Sequence, residues 1–171
     1  MKSSNISQYR DIVFYAGRRA LDIIRDGGVS PRSIRMVAGA AGGPKWLVLY
    51  GFDRMLVSWL LAGRREPLSF IGSSIGAWRF AALAQNNPAA ALDAFLEAYL
   101  SQRYSARPDE DEVTRESYRV MDAYVGERSV LEILEHPAAR LSLLAVRSSG
   151  PAARDSRFPL ASALALSASL N

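Results

Sequence analysis

The sequence predicts an α/β fold, a three-layer α/β/α arrangement around a mainly parallel sheet. Three observations predict it. Short apolar segments of strand character alternate with longer segments of helical periodicity. Each of the first two strands runs into a glycine-containing turn and then a helix. Strands joined through helices run parallel, with their faces covered by those helices.

Taken in order, Ser7 to Arg25 reads as an amphipathic helix, with Ile12, Ala16, Ala20, Ile23 and Ile24 at helical spacing and Gly27-Gly28 as its stop. Ser33 to Ala38 reads as a strand and Gly39 to Gly43 as a turn. Pro44 suits the first position of the next helix, which carries Trp46, Leu49, Leu56 and Leu60 and ends near Gly63. Leu68 to Ile71 is a second strand, closed by Gly72. Ser74 to Gln85 and Pro88 to Gln102 are helices. Pro108 to Glu112 (PDEDE) opens another, running to about Val125, with acidic residues where the helix dipole favours them. A short helix at Ser129 to Glu135 ends at His136-Pro137. Leu141 to Val146 is the third strand, Ser148 to Arg157 a loop, and Pro159 to Leu170 an apolar stretch without a cap.

The chain has 171 residues, which predicts one domain over 1–171. With 49% hydrophobic and 22% charged residues, its composition is globular and fits neither disorder nor a coiled coil. It has no cysteine and a single histidine, His136, which excludes a disulfide scaffold, a thiol nucleophile, Cys-ligated metals and a multi-histidine site. No metal and no organic cofactor is expected. No charge-free apolar run reaches the ~18 to 20 residues that span a bilayer, and Met1 to Asp11 lacks a secretory core, so a cytoplasmic location is expected. Met1 to Phe80 holds 12 Lys/Arg against 5 Asp/Glu, and the remainder 9 against 12. The first half is therefore basic. Its first helix, with Arg10, Arg18, Arg19 and Arg25, is suited to peripheral contact with an anionic membrane. Nucleic acid is not an expected partner, because no aromatic platform or recognition helix accompanies the charge.

Two motifs carry chemistry. Gly72-Ser73-Ser74-Ile75-Gly76 matches G-x-S-x-G at a strand-to-helix junction, where a tight turn would expose the Ser74 hydroxyl and Gly72 and Gly76 would admit close backbone. Ala41-Gly42-Gly43-Pro44-Lys45 follows the first strand, where successive amides and a helix N-terminus form an anion-binding concavity. A phosphate-binding P-loop would need glycine before the lysine and Ser/Thr after it. Pro44 and Trp46 stand there instead. A βαβ crossover brings both turns to the carboxyl edge of one sheet. A hydroxyl nucleophile would then lie beside oxyanion donors at Gly42, Gly43 and Lys45, as acyl transfer requires.

With these two motifs the chain resembles the patatin-like phospholipases over roughly Ile34 to Gln85, and less specifically to Val146. The resemblance implies a lipid acyl hydrolase on a three-layer α/β/α core, with Ser74 as nucleophile, Gly42, Gly43 and Lys45 in the oxyanion loop, and a lipid or other acyl ester as substrate. Ala41 and Trp46 replace the first and last glycines of the family's loop. The family's base is an aspartate in a D-G-[GA] motif late in the chain, and no aspartate after Ser74 has that context. Asp26-Gly27-Gly28 spells the motif but reads as a helix C-cap. The chain is thus expected to be the N-terminal portion of a larger patatin-like domain, incomplete at its C-terminus. Two alternatives stand beside this reading. One is a catalytically silent binding module on the same fold. The other is an α/β-hydrolase-like triad of Ser74, Asp109 or Asp122, and His136.

Overall fold

Glycine and proline set the limits of most elements in the computed structural model, which describes residues 15–147. The chain divides into two compact units, one ending at Ile34 and one beginning at Arg35.

The first unit contains helix α1 (Arg18–Gly27). It starts later than the apolar spacing predicts, because Gly17 is extended and acts as its N-cap, leaving Ala16 outside the helix. Residues 7–14 of the expected helix lie outside the described residues. The helix ends where expected. Gly28 takes φ 72° and its N–H donates to the Ile24 carbonyl oxygen at 2.8 Å, so Asp26-Gly27-Gly28 is a C-cap. Pro31–Ser33 then form one 3-10 turn, fastened by the Ser33 hydroxyl donating to the Ser30 carbonyl at 2.7 Å. That turn takes Ser33 out of the strand expected to begin there.

In the second unit, strands β1 (Met36–Gly39), β2 (Leu68–Ser73) and β3 (Ala139–Leu144) form a parallel sheet in the order β1-β2-β3. The class is mixed α/β, as the sequence predicts. Met36 pairs with Ser69 and Gly39 with Gly72, while Leu68 pairs with Ala139 and Ser73 with Leu144. The third strand starts two residues before its expected position because Leu68 recruits the chain there, its N–H donating to the Ala138 carbonyl at 2.9 Å.

Between β1 and β2 the chain begins as a 3-10 helix at Gly43–Leu49, continues as α2 (Tyr50–Leu56), and closes with a π-type turn at Val57–Leu61. Helices α3 (Ile75–Leu83), α4 (Pro88–Leu100), α5 (Glu110–Asp122) and α6 (Glu127–Glu135) separate β2 from β3. Asn87 caps α4 by accepting from the Ala90 N–H, and Asp109 caps α5 by accepting from the Glu112 N–H.

Burial alternates along β2. Leu68, Phe70 and Gly72 are buried toward α3, whereas Ser69, Ile71 and Ser73 are half-buried on the opposite face. Phe70 meets Phe80 of α3 at 4.9 Å between ring centres. A second layer is built on α3 by Trp46, Phe95 and Tyr124, with Trp46 stacked on Phe95 at 4.4 Å. Among the described residues of this unit, α3 packs on the Phe70 face of the sheet and α4 packs in turn on α3. No helix among the described residues is long and apolar enough to cross a membrane. The expected loop at 148–157 and apolar stretch at 159–170 lie outside the described residues.

Candidate active site

The junction of β2 and α3 imposes a turn too tight for ordinary backbone. Ser74 links them with φ 50° and ψ −126°, and among the described residues no other non-glycine has a positive φ. An L-residue in that region stores strain of roughly 1–3 kcal/mol, which persists only where the surroundings enforce it. Here they do. A Cβ on Gly72 would stand 2.4 Å from Ala77 Cα, and one on Gly76 would stand 2.3 Å from the Gly39 carbonyl oxygen. Both positions must be glycine for the strand, the turn and the helix to approach this closely. The Ser74 carbonyl accepts from the Ala77 and Trp78 N–H groups at 2.8 and 3.3 Å, so the helix starts immediately after the serine. Ser74 itself is exposed at the carboxyl edge of the central strand.

The glycine turn after β1 comes to the same edge, because Gly39 pairs with Gly72 and touches Gly76. Gly43 has φ 51°, a conformation that glycine adopts without strain. It opens the 3-10 helix, where its N–H has no carbonyl partner within that helix.

Ser74 and Gly43 line one cleft of about 410 Å³ with Pro44, Ile75, Trp78, Tyr99, Gln102, Tyr104 and Ser117. Gly42 and Lys45 line a neighbouring cleft of about 400 Å³, on the side of Arg79 and Phe80. The Lys45 N–H donates to the Gly42 carbonyl at 3.2 Å, so that amide closes the turn. Of the expected oxyanion residues, Gly43 therefore shares the cleft with Ser74. The cleft is also lined by Ile75, directly after the serine and at the first position of α3, which sequence reasoning did not single out. The G-x-S-x-G pattern itself carries that signal, since the residue after the serine begins the helix.

The cleft wall opposite the serine comes from α4, α5 and the loop between them. Gln102 donates to the Tyr104 hydroxyl at 2.8 Å, and the Ser117 hydroxyl donates to the Val113 carbonyl at 2.8 Å. Burial, and then the neighbouring Tyr104, raises the Tyr99 phenol above its ordinary 10.0. It stays protonated at neutral pH and is a donor rather than a base.

Among the described residues, no carboxylate or imidazole lines this cleft. Asp93 is held by Arg54 at 3.1 Å and by the Tyr50 hydroxyl. Asp109 is the α5 cap, Asp122 ends that helix, and Asp155 lies outside the described residues. His136 sits at the other end of the sheet. It precedes Ala139, which pairs with Leu68 at the start of β2, and six residue steps rising ~3.3 Å each put about 20 Å between that end and Ser74. There its Nδ1 accepts from the Ala138 and Ala139 N–H groups at 3.1 and 2.7 Å. The structure does not bring the Ser74, Asp109 or Asp122, and His136 set together. Among the described residues, no group of three or more potential metal ligands occurs.

Sequence reasoning also missed a buried ion pair beside the site. Asp53 of α2 accepts from Arg79 Nε and Nη2 at 2.7 and 2.6 Å, with Asp53 fully buried and Arg79 6% exposed. No family model, no curated protein and no solved structure matches this chain.

Proposed function

We propose that the protein is a serine acyl-ester hydrolase of the patatin-like kind, with Ser74 as the nucleophile. The observation that carries this reading is the strained φ of Ser74 at the carboxyl edge of the central strand, in one cleft with Gly43. Strain of this type aims a hydroxyl out of the sheet, where an ester carbonyl reaches it. The Gly43 and Ile75 N–H groups are the oxyanion donors, each such donor being worth about 3 kcal/mol in the transition state. The N-terminus of α3 adds partial positive charge where the tetrahedral intermediate gathers negative charge. The substrate is a lipid or another acyl ester, and the three-layer form belongs to the same reading. Peripheral contact with an anionic membrane, through the basic face of α1, and a cytoplasmic location go with it.

A second reading, a catalytically silent binding module on this fold, is favoured by one observation: among the described residues, the Ser74 cleft is lined by no carboxylate or imidazole. Turnover of p-nitrophenyl esters by the purified chain separates the two. The hydrolase reading predicts release of p-nitrophenol that disappears in Ser74→Ala. Release equal in the variant would overturn it, and ester-analogue binding without any release would establish the silent module.

A further inference from the structure

Asp53 and Arg79 stand on the two elements that carry the halves of the site. Asp53 lies on α2, in the same helical run that begins at Gly43. Arg79 lies on α3, five residues after Ser74. Both are buried, and the two parallel N–H donations fix distance and orientation together, as a single ammonium contact would not.

The chain of contacts continues to the glycine turn. The Arg79 guanidinium carbon lies 5.7 Å from the centre of the Phe80 ring. A Cβ on Gly39 would stand 2.7 Å from the edge of that ring, so Phe80 presses on the residue where β1 ends and the turn begins. Arg79 also lines the neighbouring cleft together with Gly42 and Lys45. A buried pair of this kind is a poor source of net stability, because desolvation offsets most of its attraction. What it supplies is a fixed geometry between the helix after Ser74 and the helix after Gly43.

We infer that Arg79 and Asp53 are positioning residues that hold the oxyanion loop in register with the Ser74 turn. The inference rests on the hydrolase reading for its kinetic consequence, and on the structure alone for its geometric one. Arg79→Lys keeps the charge and loses the fork. It is expected to lower kcat for a p-nitrophenyl ester about a hundredfold at little-changed KM, the loss that a misplacement of about 1 Å produces. Asp53→Leu combined with Arg79→Leu removes both charges, so it retains the fold, and it is expected to be equally slow. In both variants the backbone amide resonances of Gly43 and Ile75 are expected to shift. Wild-type kcat per folded molecule in the double variant, or unmoved Gly43 and Ile75 resonances in both, would overturn the inference. If the unaltered protein releases no p-nitrophenol, the hydrolase reading fails and the amide resonances decide the positioning role by themselves.

Discussion

Gly76 at the start of α3 and Gly39 at the end of β1 meet backbone to backbone, with no room for a side chain between them: a Cβ on Gly76 would stand 2.3 Å from the Gly39 carbonyl oxygen. This contact brings the serine turn and the glycine turn to one edge of the sheet. Neither backbone can retreat without breaking the pairing of Gly39 with Gly72. Gly76→Ala is therefore expected to destabilise the fold by about 3 kcal/mol, read as a lower urea midpoint. An unchanged midpoint would mean that the two turns are not in contact.

The backbone strain at Ser74 has an opposite consequence. Ser74→Gly removes the penalty of φ 50° while deleting the hydroxyl. Relative to Ser74→Ala, which keeps the strained backbone, it is expected to be more stable by ~1 kcal/mol in urea or thermal unfolding. Equal stability of the two variants would show that the turn is relaxed.

Trp46 directly follows Lys45 at the end of the glycine turn. It is 1% exposed, stacked on Phe95 and set edge-on to Tyr99 at 5.4 Å. Trp46 thus anchors the helical run that follows the glycine turn to α4. Trp46→Ala is expected to cost about 3–5 kcal/mol of stability, measured by chemical denaturation. A loss below 1 kcal/mol, the scale of an ordinary surface substitution, would contradict this packing.

His136 predicts a pH dependence of folding, not of catalysis. Burial first, and the Arg140 charge second, hold its imidazole below the ordinary 6.5. The folded state therefore favours the neutral ring, whose Nδ1 accepts two backbone N–H groups. Because the folded value is depressed, the stability it contributes is present above pH 6.5 and is lost as the pH falls below it. His136→Asn keeps an acceptor without a titration in this range. Urea midpoints taken across the acidic range should fall for the unaltered protein and fall less for the variant. Parallel profiles would refute the assignment.

The parallel sheet and the serine turn were legible because they rest on local chemistry. Strand-like runs at Val37 and Phe70 lead directly into glycine turns, and Gly72 and Gly76 flank the only serine that can form the elbow pattern. Strand ends were less legible, since Leu68 pairing with Ala139 sets where β3 begins and no local residue announces it. The far wall of the cleft was not legible at all. Tyr99, Gln102, Tyr104 and Ser117 come to the cleft that Ser74 lines through the return of α4 and α5, a tertiary event without a sequence period. Asp53 left one trace: it lies three residues before Leu56 and seven before Leu60, on the apolar side of its helix. A charge in that stripe demands a buried partner, but nothing local names Arg79 as that partner.

The central claim is that Ser74 is a nucleophile. Treating the folded protein with a fluorophosphonate and locating the adduct by peptide mass spectrometry tests it most directly. The predicted result is a single modification on the peptide carrying Ser74, absent from Ser74→Ala. A folded protein left unmodified at Ser74, or modified equally in the variant, would contradict it.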